Sequence, residues 1–203
     1  MTSSAKTLLS PALRGTLLAA LLGLACCSLG WAGDWTLPEL MQLLAQQKSG
    51  KATFQEKKYI GILDKPLESS GELSFEAPNR LEKRTLKPKP ELITLDGDQL
   101  SLTLGDKRPL NVRLQDHPEV ASVVESIRGT LCGDQTALEK NYRIELGGVA
   151  AKWQLTLTPL QKSVAKVLRQ IRIAGADANI RLITFEQADG DRYEMSIAKV
   201  VAP

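Results

Sequence analysis

The sequence predicts an α+β fold: a single domain in which one curved antiparallel sheet of about ten or eleven strands forms an unclosed β-barrel with helices as a lid. From Lys51 onward, apolar and polar residues alternate with a period of two over most of the chain. Turn-forming residues separate these stretches. A helical period occurs only at the start of this region and in its middle.

The first predicted helix runs from about 37 to 48. Thr36 is suited to the N-cap and Pro38 to the first turn, and Gly50 is expected to end the helix. One apolar stripe lies along it at helical spacing: Leu37, Leu40, Leu43 and Leu44.

A second predicted helix begins at Pro118 and stops at Gly129. Asp134 is expected to cap a short third helix. The apolar residues of the second helix share one face: Val120, Val123, Val124 and Ile127.

Each predicted strand has one apolar and one polar face. The clearest hairpin signal is Asp96-Gly97, and Pro78-Asn79 and Asp189-Gly190-Asp191 are further turns. The positions expected on one face are Ala52 and Phe54; Leu73 and Phe75; Leu100, Leu102 and Leu104; Leu110, Val112 and Leu114; Tyr142, Ile144 and Leu146; Trp153, Leu155 and Leu157; Val167, Arg169, Ile171 and Ile173; Ile180, Leu182 and Thr184; Tyr193, Met195 and Ile197.

Residues 1–32 have the pattern of a secretory signal peptide. Lys6 and Arg14 precede an apolar run of about 13 residues, whereas a spanning helix needs ~20. Gly30-Trp31-Ala32 supplies small residues at both positions read by a signal peptidase. We therefore expect cleavage near Ala32 and a periplasmic domain over 33–203. An uncleaved N-terminal helix is the alternative.

The leader also allows a lipoprotein reading. Leu24 and Ala25 precede Cys26 and Cys27, which partly fits the pattern that places acyl chains on a cysteine. Lipidation of either cysteine would anchor the protein to a membrane. Only Cys132 would remain in the mature chain, so no disulfide within it is expected, and a buried small side chain is favoured there over a reactive thiol.

Charge and aromatic content exclude some classes of partner. The net charge of the 203 residues is +3 and aromatic residues make up 4% of them. Neither a basic surface nor base-stacking side chains are therefore expected, and we predict no nucleic-acid partner.

Catalytic signals are weak. His117 is the single histidine, so neither a histidine-rich zinc site nor, without a Gly-x-Ser-x-Gly elbow, a serine triad is expected. Glu72 and Glu76 fit a solvated strand face, and no phosphate- or dinucleotide-binding loop occurs. We predict no enzyme, no cofactor and no metal, although carboxylate catalysis on a lipid stays open.

Three stretches, in this order behind the leader, resemble the LolA-like family of periplasmic outer-membrane lipoprotein carriers. The resemblance covers about Trp35 to Val200. It rests on Ala52-Thr53-Phe54-Gln55-Glu56-Lys57 after the first helix; Ser70-Gly71-Glu72-Leu73-Ser74-Phe75-Glu76-Ala77-Pro78-Asn79-Arg80-Leu81 followed by Leu95-Asp96-Gly97-Asp98-Gln99-Leu100; and Leu155-Thr156-Leu157-Thr158-Pro159, Ile171-Arg172-Ile173 and Phe185-Glu186-Gln187-Ala188-Asp189-Gly190-Asp191.

Periodicity alone is compatible with a packed core or with a cavity, and the resemblance implies the cavity. It implies a carrier that takes acylated lipoprotein or lipid cargo from an inner-membrane ABC-type releasing complex and passes it to an outer-membrane receptor. We expect the carrier to be a monomer. The expected ligand contacts are Phe54, Leu73, Phe75, Leu81, Leu102, Leu104 and Trp153, and the expected underside of the lid is Val123, Val124 and Ile127.

One position departs from the resemblance. The best-known members carry an arginine, which holds the lid, just before the proline that matches Pro78. Here that residue is Ala77, and Arg80 is the candidate substitute. Two other roles are compatible with the sequence: a periplasmic sensor that grips a regulatory partner protein, and an outer-membrane-anchored lipoprotein acceptor.

Overall fold

Alternating apolar and polar residues form a single antiparallel sheet in the computed structural model, which describes residues 35–199. Its strands are β1 (Ser49–Tyr59), β2 (Leu67–Glu76), β3 (Arg80–Lys87), β4 (Glu91–Asp96), β5 (Gln99–Leu104), β6 (Leu110–Arg113), β7 (Tyr142–Val149), β8 (Lys152–Pro159), β9 (Leu168–Ala176), β10 (Asn179–Gln187) and β11 (Arg192–Lys199). The helices are α1 (Leu37–Ala45), α2 (Pro118–Cys132), α3 (Gln135–Asn141) and α4 (Lys162–Ala165), with a 3₁₀ turn at Leu114–Asp116.

The sheet is not closed. Its 11 strands follow the order β6-β5-β4-β3-β2-β1-β11-β10-β9-β8-β7, so β6 and β7 are its two edges. Strands that are neighbours along the chain pair with each other, except β6 and β7, and the additional pairing of β1 with β11 joins the two halves. The segment between β6 and β7 contains α2 and α3, which pack on one face of the sheet. This arrangement confirms the predicted α+β fold with an unclosed antiparallel sheet.

Helix α1 begins where the sequence predicts. The carboxylate of Glu39 accepts hydrogen bonds from the Thr36 amide and hydroxyl at 2.9 and 2.8 Å, and these bonds lower the pKa of that carboxyl. The helix ends at Ala45 rather than near 48, because β1 already begins at Ser49.

Helix α2 continues through Gly129, so the predicted stop at that residue is wrong. The glycine serves close packing instead: a Cβ there would lie 2.9 Å from the Leu138 side chain of α3. The helix ends at Gly133, whose φ of +64° is left-handed. Asp134 then caps α3 by accepting a 2.9 Å hydrogen bond from the Ala137 amide, as predicted.

The predicted faces of β9 and β10 are partly wrong. Val167 precedes β9 and is 50% exposed, whereas the next residue, Leu168, is buried. In β10 the register with β9 shifts between Ile180 and Leu182. This bulge turns Leu182 outward and Ile183 inward, because one inserted residue reverses the side-chain alternation.

The tightly packed core lies on the β7–β10 half of the sheet. There the helices cover the sheet, and α1 contributes Leu40, Met41 and Leu44. The remaining core residues are Leu138, Tyr142, Trp153, Leu155, Leu157, Val164, Leu168, Ile171, Ile173 and Ile183. The cavity described next extends from β10 and β11 across β1 to β5.

Candidate functional site: a cavity beneath helix α2

An apolar cavity of about 690 Å³ lies between α2 and the concave face of the sheet. Such a volume falls in the ~300–1,000 Å³ range of ligand pockets. The lining residues of β1 run from Gly50 to Glu56, a rise of about 20 Å at ~3.3 Å per residue. The cavity therefore extends over about 20 Å in the direction of β1.

Six of the residues predicted for ligand contact or for the lid lie together at this cavity. Leu73, Phe75 and Leu81 project from β2 and β3. Their common face follows from the strand pairing, since Phe75 lies opposite Leu81. Val123, Val124 and Ile127 face them from α2. Strand alternation thus predicts one wall of the cavity, and helical spacing predicts its roof.

Four predicted residues lie elsewhere. Trp153 belongs to the packed core, where it is 1% exposed and its indole N–H donates a 2.8 Å hydrogen bond to the Asp177 carbonyl. Phe54 is buried beneath the Lys83 ammonium, whose nitrogen lies 5.0 Å from the ring centroid. Leu102 and Leu104 occur further along the concave face, outside the residues that line the cavity, and Leu104 is 44% exposed.

The residues of the opposite wall are not predicted from the sequence. This wall is formed by β10 and β11, which the β1–β11 pairing brings next to β1. No local pattern signals that pairing, and the β10 bulge hides which residues turn inward. The apolar lining residues not predicted are Leu44, Ile93, Leu95, Leu100, Leu131, Ile180, Ile183, Phe185, Met195 and Ile197.

One charged cluster lies within the lining. The Glu56 carboxylate, which is 7% exposed, accepts hydrogen bonds from Lys83 Nζ at 2.9 Å and Ser69 Oγ at 2.8 Å. Burial alone would raise the pKa of Glu56. Lys83, Ser69 and the nearby Lys58 outweigh it and lower the pKa below its usual value. Glu56 is thus ionised at neutral pH.

The roof helix presents two different faces. Its most buried side chains are small and polar, and their hydroxyls are satisfied: Ser126 and Thr130 donate to carbonyls within α2 at 2.6 and 2.7 Å. Ser122 and the Tyr142 hydroxyl lie 2.7 Å apart, and burial raises the pKa of Tyr142. This polar face packs against the protein at Tyr142. The side chains of Val123, Val124 and Ile127 line the cavity.

The roof is tied to the turns of the sheet by Arg128 and Cys132. Arg128 donates a 3.1 Å hydrogen bond to the Gly97 carbonyl in the β4–β5 turn and pairs with Glu125. The Cys132 thiol lies 3.2 Å from the Pro78 carbonyl in the β2–β3 turn, and burial raises the pKa of this thiol. Arg80, the candidate substitute for a lid arginine, is exposed.

Other candidate chemistry is sparse in the described part of the chain. The His117 side chain is half exposed, with Nδ1 3.8 Å from a Glu119 oxygen. Within residues 35–199 no three His, Cys, Asp or Glu side chains converge as a metal site would require. The leader, the predicted cleavage site near Ala32, and Cys26 and Cys27 lie outside the described residues.

A family model matches residues 32–201 of this chain, and it describes an outer membrane lipoprotein carrier protein, LolA-like. The chain belongs to the LolA-like family. The family match thus spans the whole sheet and all the described helices.

Similar proteins carry related descriptions. A protein of Dechloromonas aromatica described as an outer-membrane lipoprotein carrier protein is 22% identical over 80% of this LolA-like chain and 75% of its own length. Among solved structures, a LolA superfamily protein from Nitrosomonas europaea is 10% identical, with a TM-score of 0.42 over 83% of this chain and 95% of that one. The MucA/MucB complex of Pseudomonas aeruginosa contains a chain that is 16% identical, with a TM-score of 0.45 over 82% of this chain and 58% of that one.

No helix in the described range 35–199 combines the length and apolar character needed to cross a bilayer.

Proposed function

We propose that this LolA-like protein carries acyl chains, as part of a lipoprotein or of a related lipid, in the cavity beneath α2. The observation that carries the proposal is the cavity itself: about 690 Å³ with apolar side chains on the sheet and on the helix above it. At about 30 Å³ per water-sized group, this volume corresponds to on the order of 20 methylene groups. One long acyl chain fits that space.

The physical problem is the exposure of hydrocarbon to water. At ~0.8 kcal/mol per methylene, a 16-carbon chain leaving a bilayer exposes roughly 13 kcal/mol of apolar surface. Leucine, isoleucine and valine side chains in the lining offset most of this cost. They impose no stacking geometry, which suits acyl chains of variable length. A carrier must also release its cargo, so incomplete compensation is an advantage.

The family description extends the proposal to partners and location. We infer that the protein acts in the periplasm after cleavage of residues 1–32, takes cargo from an inner-membrane ABC-type releasing complex and delivers it to an outer-membrane receptor.

The same leucine-to-glutamate change at two positions tests whether the cavity binds acyl chains. Leu73→Glu places a carboxylate on the cavity wall, and burying an unpaired charge against an acyl chain is unfavourable. We expect uptake of a fluorescent fatty acid or of an acylated lipoprotein to fall at least tenfold. Leu182→Glu is the matched control, because Leu182 is 38% exposed on the other face of the sheet.

Circular dichroism and thermal unfolding of both variants separate binding from folding. Normal uptake by a folded Leu73→Glu protein would refute the assignment of the cavity. Native mass spectrometry of the protein purified from its own cells should reveal a retained lipid. Recovery of a membrane signalling protein and no lipid would instead indicate a sensor, and an acylated N-terminal cysteine would indicate an anchored acceptor.

A further inference from the structure

Three exposed leucines lie where strands meet two loops, at one end of the strands. Leu86 is 52% exposed at the end of β3, and Leu104 and Leu110 are 44% and 61% exposed on either side of the β5–β6 loop. Single exposed leucines are ordinary, whereas several in one place indicate an interaction surface. We call residues 86–90 and 104–110 the loop patch.

The two loops of the patch are joined to each other. The Gly105 amide donates a 3.0 Å hydrogen bond to the Pro90 carbonyl, and Glu91 pairs with Leu104 across β4 and β5. Prolines at 88, 90 and 109 fix the backbone φ in both loops. The two segments are therefore held next to each other, and the prolines restrict their backbone.

The charges of the loop patch have predominantly one sign. Lys87, Lys89, Lys107 and Arg108 are all exposed, and Asp106 is the only carboxylate within the two segments. None of the four cations forms a salt bridge with a carboxylate of residues 35–199. Against these four cations stand Asp106 and the adjoining Glu91, so the surface has a net positive charge around exposed hydrocarbon.

We propose that the loop patch docks the protein on an anionic lipid bilayer. Lysine and arginine near such a surface are attracted to lipid phosphates, and their long apolar stems let the charge reach the headgroups while the leucines enter the acyl boundary. Exposed leucines surrounded by cations therefore fit a bilayer surface, where charged headgroups cover the acyl chains. None of these patch residues lines the cavity, so the proposal goes beyond carriage and stands independently of it.

Sedimentation with lipid vesicles tests the docking surface. The protein, purified after expression of the full chain, is mixed at low salt with phosphatidylglycerol-containing vesicles or with pure phosphatidylcholine vesicles. We expect preference for the anionic vesicles and loss of binding as NaCl is added. Lys87→Gln with Lys107→Gln should lower the partition coefficient roughly 30-fold, at about fivefold per cation.

The matched control removes the same charge at the opposite end of the strands, before β1 and at the start of β8. Lys48→Gln with Lys152→Gln changes two exposed lysines there and should retain most of the binding. Likewise, Leu86→Gln with Leu110→Gln should weaken binding roughly tenfold, whereas Val149→Gln with Leu182→Gln should not.

Three results would overturn the docking proposal: no preference for anionic vesicles, equal losses in patch and control variants, or unchanged binding after the leucine substitutions. Fatty-acid uptake by the patch variants, measured without vesicles, should match that of the unmodified protein. Loss of uptake together with unchanged vesicle binding would count against the patch and place these residues in cargo binding.

Discussion

Glu56 and Lys83 place opposite charges on the cavity side of the sheet, where alternation alone predicts apolar residues. Their 2.9 Å contact and the Ser69 hydroxyl satisfy the carboxylate in a site that excludes most water. Removing either Glu56 or Lys83 leaves the charge of the other without its partner. The resulting loss of folding free energy exceeds what a surface ion pair contributes.

Glu56→Gln should therefore destabilise the protein by about 1.5–3 kcal/mol near neutral pH. The folded-state pKa of Glu56 is lowered, so its stabilisation is complete above the unfolded pKa of about 4.3 and disappears as pH falls through the lower folded value. Urea unfolding of both proteins between pH 7 and about pH 3 measures this. A difference that persists unchanged at low pH would contradict the ionic role assigned to Glu56.

The sequence predicts the location of some cavity residues but not of others. Leu73, Phe75 and Leu81 could be assigned to the wall because they lie where the pairing of β2 with β3 keeps a continuous register. Trp153 obeys the same alternation but faces the packed core. The face of a strand is readable from its residues, whereas the part of the sheet that a helix covers is a property of the tertiary structure.

Helix α2 roofs the cavity, and its attachment to the sheet determines how readily the cavity opens. Arg128 spans from α2 to the Gly97 carbonyl and is held by Glu125. Arg128 thus links the roof to the β4–β5 turn in a protein that has Ala77, rather than an arginine, before Pro78.

Arg128→Ala should loosen the roof without unfolding the sheet. A charged hydrogen bond contributes about 1.5 kcal/mol or more, so amide hydrogen exchange in α2 should accelerate roughly tenfold, with faster cargo release. Arg143→Ala is the comparison, because the Arg143–Glu145 pair is about two-thirds exposed and contributes little. Unchanged exchange in the Arg128 variant would show that the apolar contacts alone hold α2.

At the level of elements, the sequence predicts α1, α3 and the hairpins, because caps and turns are encoded locally. It misplaces the end of α2, because Gly129 is required by the proximity of Leu138 rather than by a turn. It also misassigns the faces of β10, because a bulge leaves no composition signal of its own.

At the scale of the whole molecule, the packed core and the cavity are largely separate. Packed side chains cover β7–β10, whereas the cavity extends from β5 across β1 to β10 and shares Leu44 and Ile183 with the core. The separation predicts different costs for equal truncations. Leu155→Ala removes fully buried contacts and should cost about 2–5 kcal/mol.

Leu81→Ala enlarges a space that is already present and should cost about 1 kcal/mol while weakening cargo binding. Chemical denaturation with and without a fatty acid measures both effects. Equal losses of stability for the two variants would indicate that the cavity is packed as tightly as the core in solution.

The unpaired edges of β6 and β7 have a mechanical consequence. A closed barrel has a circumference fixed by its ladder hydrogen bonds, so widening it requires some of them to break. Here the ends of the sheet are bridged by helices rather than by strand pairing. The cavity can therefore expand or contract as these edges move apart or together, and no ladder hydrogen bond has to break.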